Sequence, residues 1–269
     1  MLNKTLGAAL LAAAVALPGA ATAAGPGGEV TDIDFSFEGP FGTYDRFQLQ
    51  RGFQIFQQVC AGCHGMQYVS FRSLGEPGGP EFPEAQIRAI AENYECVDRF
   101  TDEFRTCRPS DKFPLNDAVG APDLSLMAKA RAGFHGPYGL GTSQLFNGIG
   151  GPEYIYSLLV GYNGSEKEQA GAFLYGNDVY PGGYLSMAQP LWGEDVEYAV
   201  YGEGGDYTPP APTLEQEAED VSAFLMWAAE PKLGDRKQAG LRNFVLLIAL
   251  AVLLYYTNKQ IWASVKGKD

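Results

Sequence analysis

Apolar residues recur every three or four positions in five segments of the chain, the spacing that places side chains on one face of an α-helix. In the first segment, Asp45 can cap a helix that runs to about Val59. In the last, Thr213 and Gln216 have the spacing of a capping box, and the pattern ends at Pro231. The other predicted helices begin at Pro83, at Pro122-Asp123 with an end near Ala132, and at Pro152 with an end at Gly161.

The segments between these helices are rich in Gly, Pro, Tyr and Asn, and their strand patterns are weak. We therefore predict a mostly helical domain with long loops. Long loops without regular structure are uncommon in compact domains. A large buried cofactor would explain them, because it supplies apolar surface on which loops can pack.

The first 23 residues have the pattern of a secretory signal peptide. Lys4 precedes an apolar run from Leu6 to Leu17, and Ala21-Thr22-Ala23 forms a small-x-small cleavage site. An uncleaved anchor is the alternative, but the run is short and a cleavage site follows it. The pattern predicts export of the residues that follow.

The other end of the chain predicts a membrane span. From Leu241 to Trp262 nearly every residue is apolar, and roughly 20 such residues cross a bilayer. A buried core helix would normally have a polar face, and this segment has none. We therefore divide the chain into a signal peptide (1–23), an exported domain (24–232), and an anchor with a short cytoplasmic tail (233–269).

The chain has 269 residues and a formal net charge of −13. Such a net field disfavours nucleic acid and attracts basic partners. Two acidic clusters, Glu194-Asp195-Glu197 and Glu215 to Asp220, are candidates for steering a basic partner. For either cluster taken alone, ordinary solvated surface is the preferred interpretation.

Residues 60–64 read Cys-Ala-Gly-Cys-His, the attachment pattern of a c-type haem. The thiols of Cys60 and Cys63 would add to the two vinyl groups, and His64 would then lie beneath the iron as its ligand. A zinc knuckle would need more ligands than a chain with two His and no second suitable Cys pair can supply. A redox-active dithiol would follow a strand, whereas a helix is predicted before Cys60.

The remaining cysteines, Cys96 and Cys107, are eleven positions apart. The oxidising compartment that the signal peptide implies favours a disulfide between them. Two free thiols are the alternative.

The residue pattern leaves the sixth iron ligand open between Met187, Met127, His135 and a vacant position. Met187 lies in an irregular apolar loop that can fold over the far face of the ring, and it is the leading candidate from spacing. Met66 is too near His64 to cross the ring, and Met226 is interpreted as a core residue. A closed six-coordinate iron suits electron transfer, because little has to move when one electron arrives or leaves.

Over nearly its whole length the chain resembles the cytochrome c1 family of alphaproteobacterial cytochrome bc1 complexes. The resemblance rests on the attachment motif together with four further segments. These are the Pro-Asp-Leu-Ser helix that ends in Arg (121–131), Gly-Pro-Glu-Tyr-Ile-Tyr-Ser-Leu-Leu (151–159), the Tyr-Leu-Ser-Met loop (184–187) and the helix 220–231 before the anchor.

The resemblance implies a class-one cytochrome c-like haem domain with one covalently attached haem c. It implies His64 and Met187 as axial iron ligands, Arg131 near a haem propionate with Tyr154 as a hydrogen-bond donor there, and the Pro122 region as acceptor for the His64 ring proton. Close relatives place a disulfide between the fourth helix and the methionine loop. Residues 161–183 contain no Cys, so the resemblance does not explain how that loop is held.

The resemblance also implies a function. The chain would relay single electrons from a Rieske iron–sulfur protein to a soluble or membrane-tethered cytochrome c, beside a cytochrome b subunit in a dimeric complex. It would sit in the lipid of a bacterial inner membrane with its haem domain in the periplasm. The complex would oxidise ubiquinol, whereas this subunit would perform no bond chemistry of its own.

Two other classes of function remain open from the sequence. One is a free-standing membrane-anchored electron carrier, which would not co-purify with a cytochrome b subunit. The other is a haem enzyme or gas sensor with an open iron site, which would bind carbon monoxide when reduced.

Overall fold

The structure is a computed structural model that describes residues 28–98, 100–131, 148–198 and 207–267. The chain is mostly helical, as predicted. Its helices are α1 (Arg46–Gln58), α2 (Glu84–Glu92), α3 (Met127–Ala130), α4 (Gly151–Val160), α5 (Leu214–Ala229) and α6 (Leu233–Lys266). Two short 3-10 helices lie at Cys60–Gly62 and Phe71–Gly75. The predicted signal peptide lies outside the described residues.

Four of the five predicted helices have the predicted starts. Asp45 accepts the Gln48 N–H at 2.7 Å at the start of α1, and Pro152 lies in the first turn of α4. Thr213 accepts the Gln216 N–H at 3.2 Å at the start of α5. The capping box is only half formed, because the Gln216 side chain donates to Asp220 instead.

The third predicted helix is much shorter than expected. The sequence predicted a start at Pro122-Asp123, but α3 begins at Met127. Asp123 does not cap this helix, because its two carboxylate oxygens accept the backbone N–H groups of Ser125 and Gln67. The residues before α3 are thus tied to a distant segment instead of starting a helix.

Two small antiparallel sheets were not predicted from the sequence. One hairpin pairs β1 (Glu95–Val97) with β2 (Phe104–Thr106), and a three-stranded sheet has the order β3 (Tyr162–Gln169), β4 (Ala172–Asn177), β5 (Tyr184–Leu185). In β3 no residue is buried, so its sequence shows no apolar alternation. Ala170 and Gly171 turn between β3 and β4 with φ of 54° and 80°, as a tight hairpin requires.

Helices α1 and α5 pack against each other at their closest point through Gly52. A Cβ atom added to Gly52 would lie 2.0 Å from the Asp220 carbonyl oxygen and 2.6 Å from Phe224. Only glycine permits this approach. Around the crossing, aromatic rings form the centre of the core: Phe53, Phe56, Phe113, Phe224 and Trp227.

A buried ion pair lies beside the same crossing. Arg51 donates to both carboxylate oxygens of Asp220, from Nε at 2.6 Å and from Nη2 at 2.7 Å. The two side chains are 5% and 0% exposed. Removing one partner of such a pair leaves an uncompensated buried charge, so both helices depend on this contact.

Beyond its first turns, helix α6 is apolar and exposed. Residues Leu233–Ala263 have a mean hydropathy of 1.8 in the most apolar window, and none of that window is buried by the described protein. This helix is long enough to cross a membrane, as predicted. Because only Glu230, Pro231 and Lys232 separate it from α5, the anchor follows the folded domain directly.

We expect Gly52→Ala to destabilise the domain by about 1–3 kcal/mol or more, because the added methyl group overlaps backbone rather than a movable side chain. Thermal unfolding of the purified full-length protein measures the effect. Gly234→Ala is the matched control, since nothing lies within 4 Å of the position that its methyl group would take. Equal melting temperatures for the two variants would show that the close crossing does not limit stability.

Candidate functional site

The Cys-Ala-Gly-Cys-His motif forms a turn at the carboxyl end of α1. The Cys63 and His64 N–H groups both donate to the Cys60 carbonyl, at 3.1 and 2.9 Å. The Cys60 thiol is half-buried against the core, whereas Cys63 is exposed, and both thiols are free. The turn therefore presents two thiols and an imidazole within five residues of a hydrogen-bonded backbone.

The His64 ring is oriented by the backbone of Pro122. Its Nδ1 atom lies 2.7 Å from the Pro122 carbonyl oxygen. A carbonyl can only accept, so Nδ1 carries the proton and donates it. In a neutral imidazole Nε2 then keeps its lone pair, which is the form that binds a metal ion.

Sequence reasoning missed Asn116, which holds the turn from the other side. Its Nδ2 atom donates to the carbonyl oxygens of Ala61 and Gly62, at 3.2 and 3.0 Å. The chain can pass this closely because Gly65 has no side chain: a Cβ there would lie 2.6 Å from the Asn116 nitrogen. No pattern in the sequence indicated this role, since the two segments are 54 residues apart.

The residues after His64 are tied to the residues after Pro122. The Leu124 N–H donates to the Gly65 carbonyl at 2.9 Å, and the Tyr68 N–H donates to Ser125 Oγ at 3.0 Å. Together with the Asp123 contact to the Gln67 N–H, these bonds fix Pro122 relative to the His64 ring. The acceptor of the imidazole proton is therefore held by its own network.

The surroundings of the Cys60 thiol do not favour a redox-active dithiol. Burial and the neighbouring Cys63 raise its pKa to about 12, so it stays protonated at neutral pH. A redox-active dithiol instead has a nucleophile of lowered pKa. Within the residues that the structure describes, no group of three potential metal ligands comes together.

The candidates for the sixth ligand lie in different surroundings. Met187 and Met127 are both half-buried at the edge of the core, whereas Met66 and Met226 are buried in it. The Tyr162 hydroxyl donates to the Met187 carbonyl at 2.9 Å. His135 lies outside the described residues.

The methionine loop is held by hydrogen bonds from the three-stranded sheet. Asn177 is fully buried at the end of β4 and donates to the Leu158 carbonyl of α4 at 2.8 Å. Its side-chain oxygen accepts the N–H groups of Val179 and Tyr180, both at 3.0 Å. The Tyr162 contact to Met187 adds to these bonds. The sheet therefore connects the loop to α4 without the disulfide that close relatives have there.

Arg131 and Tyr154 both lie at the junction of α3 and α4. A Cβ on Gly151 would lie 2.8 Å from the Arg131 carbonyl oxygen, so the start of α4 lies against the end of α3. Burial raises the pKa of Tyr154, and the positive charge of Arg131 opposes that rise. A guanidinium and a phenol that share one region can donate to a carboxylate.

Cys96 and Cys107 form a disulfide that links the ends of the β1–β2 hairpin. Beside it, Arg105 bonds both Asp98 and Asp111. The thiols of the attachment turn are therefore separate from this structural bridge.

Two of the four acidic residues in the second cluster are buried, whereas Glu215 is exposed and Glu219 is half-buried. Glu217 and Asp220 are fully buried, so they are neither solvated surface nor exposed to a partner. Glu217 Oε1 accepts the N–H groups of Asp195 and Val196 at 2.9 and 3.2 Å. Burial raises the pKa of Glu217 to about 7.

The chemistry of this donor set fits a haem. Two unpaired thiols in the Cys-x-x-Cys-His spacing lie next to an imidazole whose Nε2 is free to bind iron. Gly62, between the thiols, has open space beside it. These features define an attachment turn of the c-type cytochrome class, on a helical domain followed by an apolar helix.

Comparisons with known proteins identify the family. The model of the "Cytochrome C1 family" matches residues 35–265. "Cytochrome c1" of Cereibacter sphaeroides is 52% identical over 279 residues, covering 96% of this chain and 95% of the relative. "Cytochrome c1, heme protein, mitochondrial" of Kluyveromyces lactis is 33% identical over 269 residues, covering 93% and 82%. The chain therefore belongs to the cytochrome c1 family.

A third relative is a much longer protein that this chain matches only in part. "Cytochrome b/c1" of Bradyrhizobium diazoefficiens is 38% identical over 255 residues, which cover 86% of this chain but 35% of the relative. Most of that protein thus lies outside the similarity.

We expect the double variant Cys96→Ser, Cys107→Ser to lose about 3 kcal/mol of stability, because a loop of this length is no longer closed in the unfolded chain. Chemical denaturation of the full-length protein measures the loss. A mild thiol reductant should produce the same loss in the parent protein. No difference in unfolding midpoint would contradict a stabilising bridge.

Proposed function

We propose that the chain is the haem-c electron-transfer subunit of a ubiquinol–cytochrome c reductase. It accepts single electrons from a Rieske iron–sulfur protein and passes them to a soluble or membrane-tethered cytochrome c. When bound, haem c supplies the iron couple that changes by one electron. The observation that carries the proposal is the attachment turn with its oriented His64, in a member of the cytochrome c1 family.

In this proposal the turn would hold one covalently attached haem. Cys60 and Cys63 would supply the two thioether sulfurs, and His64 Nε2 would be a ligand of the iron. The Pro122 carbonyl keeps the imidazole in one tautomer and one ring orientation. Asn116 keeps the turn itself in place, so little rearrangement is needed when the charge of the iron changes.

Met187 is the proposed sixth ligand. Its loop is fixed by Tyr162 and by the buried Asn177, which would hold a thioether at a constant position. A thioether ligand favours the reduced iron and raises the potential. A high potential suits a carrier that takes electrons from an iron–sulfur protein.

Arg131 and Tyr154 are proposed to bind a haem propionate. Their placement supports this, because Arg131 follows α3 where the start of α4 packs against it, and a guanidinium and a phenol can both donate to a carboxylate. The positive charge of Arg131 would also neutralise part of the propionate charge.

The proposed partners are a cytochrome b subunit, the Rieske protein and cytochrome c, in a dimeric complex. The cytochrome b subunit is supported by the name of the Bradyrhizobium relative. The Rieske protein, cytochrome c and the dimer rest on the role of the family.

The proposed arrangement places the domain outside the cytoplasm. Residues 1–23 would be removed on export, residues 24–232 would form the haem domain in the periplasm, and residues 233–269 would anchor it in the bacterial inner membrane. The disulfide supports an oxidising compartment. Helix α6 supports a single span.

Covalent attachment is tested by the mass of the mature chain. The parent protein should carry one haem, and the double variant Cys60→Ala, Cys63→Ala should carry none in covalent linkage. The matched control is the double variant Cys96→Ser, Cys107→Ser, which should keep its haem. A parent chain without added haem mass would overturn the proposed function.

The sixth ligand is tested by comparing Met187→Leu with Met127→Leu, two half-buried methionines changed in the same way. Met187→Leu should lower the reduction potential by a sizeable part of the roughly 0.8 V that axial ligation spans, and its reduced form should bind carbon monoxide. Met127→Leu should leave both properties close to the parent's. The reverse result would assign the ligand to Met127, and carbon monoxide binding by the parent would favour an open site.

A further inference from the structure

A cavity of about 180 Å³ lies where the N-terminal segment, α4 and the start of α6 meet. Besides Glu230, two carboxyl groups line it, Glu38 from the N-terminal segment and Glu153 from the first turn of α4. Glu153 is 1% exposed. No part of the proposed electron relay uses either residue.

Both carboxyl groups have a buried oxygen without a donor. Glu38 Oε1 and Glu153 Oε2 accept no hydrogen bond from the residues that the structure describes. The two groups line the same cavity, and each shifts the pKa of the other. Two carboxylates cannot donate to one another, and two close carboxylates cannot both stay charged when water is excluded. A proton on one of them satisfies both requirements.

The other charged groups around the cavity do not replace that proton. Lys129 and Arg236 both bind Glu230 instead. Asp32 and Asp34 on the N-terminal segment add negative charge that opposes ionisation of the pair.

Lys237 at the start of α6 is the cation whose charge acts on Glu38. Its Nζ atom donates to the carbonyl oxygens of Phe37 and Gly42, at 2.5 and 3.2 Å. Lys237 and both carboxyl groups line the same cavity, and one shared proton makes these three groups neutral together.

We propose that Glu38 and Glu153 bind one proton between them and that this protonated pair fastens the N-terminal segment to α4 beside the membrane anchor. The protonated carboxyl group donates its hydrogen to the other carboxylate. Deprotonation releases the proton to solvent and leaves two like charges facing each other in the cavity. The device needs no haem and no electron.

The direction of the pH dependence follows from burial. Burial, then the contact with Glu38, raises the pKa of Glu153 from an ordinary 4.5 to about 9. Between these values the folded protein holds a proton that the unfolded chain has released. The contribution of Glu153 to stability is therefore full below pH 4.5 and is lost as the pH rises towards 9.

The first experiment is infrared spectroscopy of the full-length protein with its haem, parent minus Glu153→Gln, at about pH 8. Glu217, whose pKa is about 7, is then mostly ionised and does not interfere. The difference should show the carbonyl stretch of one protonated carboxylic acid, and the band should disappear with a midpoint near pH 9. Glu84→Gln is the control, because Glu84 is an exposed carboxyl, and it should give no such band.

Two further variants test the pairing. Glu38→Gln should shift or abolish the band, because the hydrogen-bond partner changes. Lys237→Gln should move its midpoint to higher pH, because the charged form loses its cation. No band at about pH 8, or a band indifferent to both substitutions, would overturn the proposal.

Stability provides an independent measurement. The unfolding constant of the parent, divided by that of Glu153→Gln, should rise by up to about tenfold per pH unit between about pH 5 and 9, as the linkage of one proton requires. A ratio that does not change with pH would overturn the proposal even if Glu153→Gln were less stable throughout.

Discussion

The close crossing of α1 and α5 is the contact on which the rest of the structure depends. Gly52 lets the backbones approach until a methyl group would not fit, and Arg51 binds Asp220 in a fully buried ion pair beside it. Such a pair is worth little as net stability, but either charge alone would be very unfavourable there. The two helices can therefore pack only in the arrangement that keeps Gly52 at the contact and Arg51 paired with Asp220.

That arrangement positions both functional ends of the domain. Helix α1 leads directly into the attachment turn at Cys60, and α5 leads into the anchor helix through a link of three residues. Asn116 and the Pro122 carbonyl then hold the turn and the His64 ring. Helix α1 thus determines where the attachment turn begins, and loop residues determine the orientation of the turn and of the His64 ring.

The sequence predicted the parts of the fold that depend on local pattern. The starts at Asp45, Pro152 and Thr213 rest on capping chemistry within one turn, and the anchor rests on an unbroken apolar run. The attachment motif was equally readable because its residues are consecutive. The strand pair β3–β4 was missed because β3 has no buried residue to create an alternating pattern. Asp123 was read as a helix start because its real partner, Gln67, is 56 residues away. The roles of Asn116 and the Glu38–Glu153 pair depend in the same way on tertiary contacts.

The short link between α5 and the anchor restricts where the domain can go. Three residues span at most roughly 10 Å, and Glu230 within the link is clamped by Lys129 and Arg236. With so short a link, the haem domain of the proposed relay would have little freedom to move away from its anchor helix. A redox partner would then have to come to it, so the mobility for successive electron transfers would reside in the proposed partners and not in this chain.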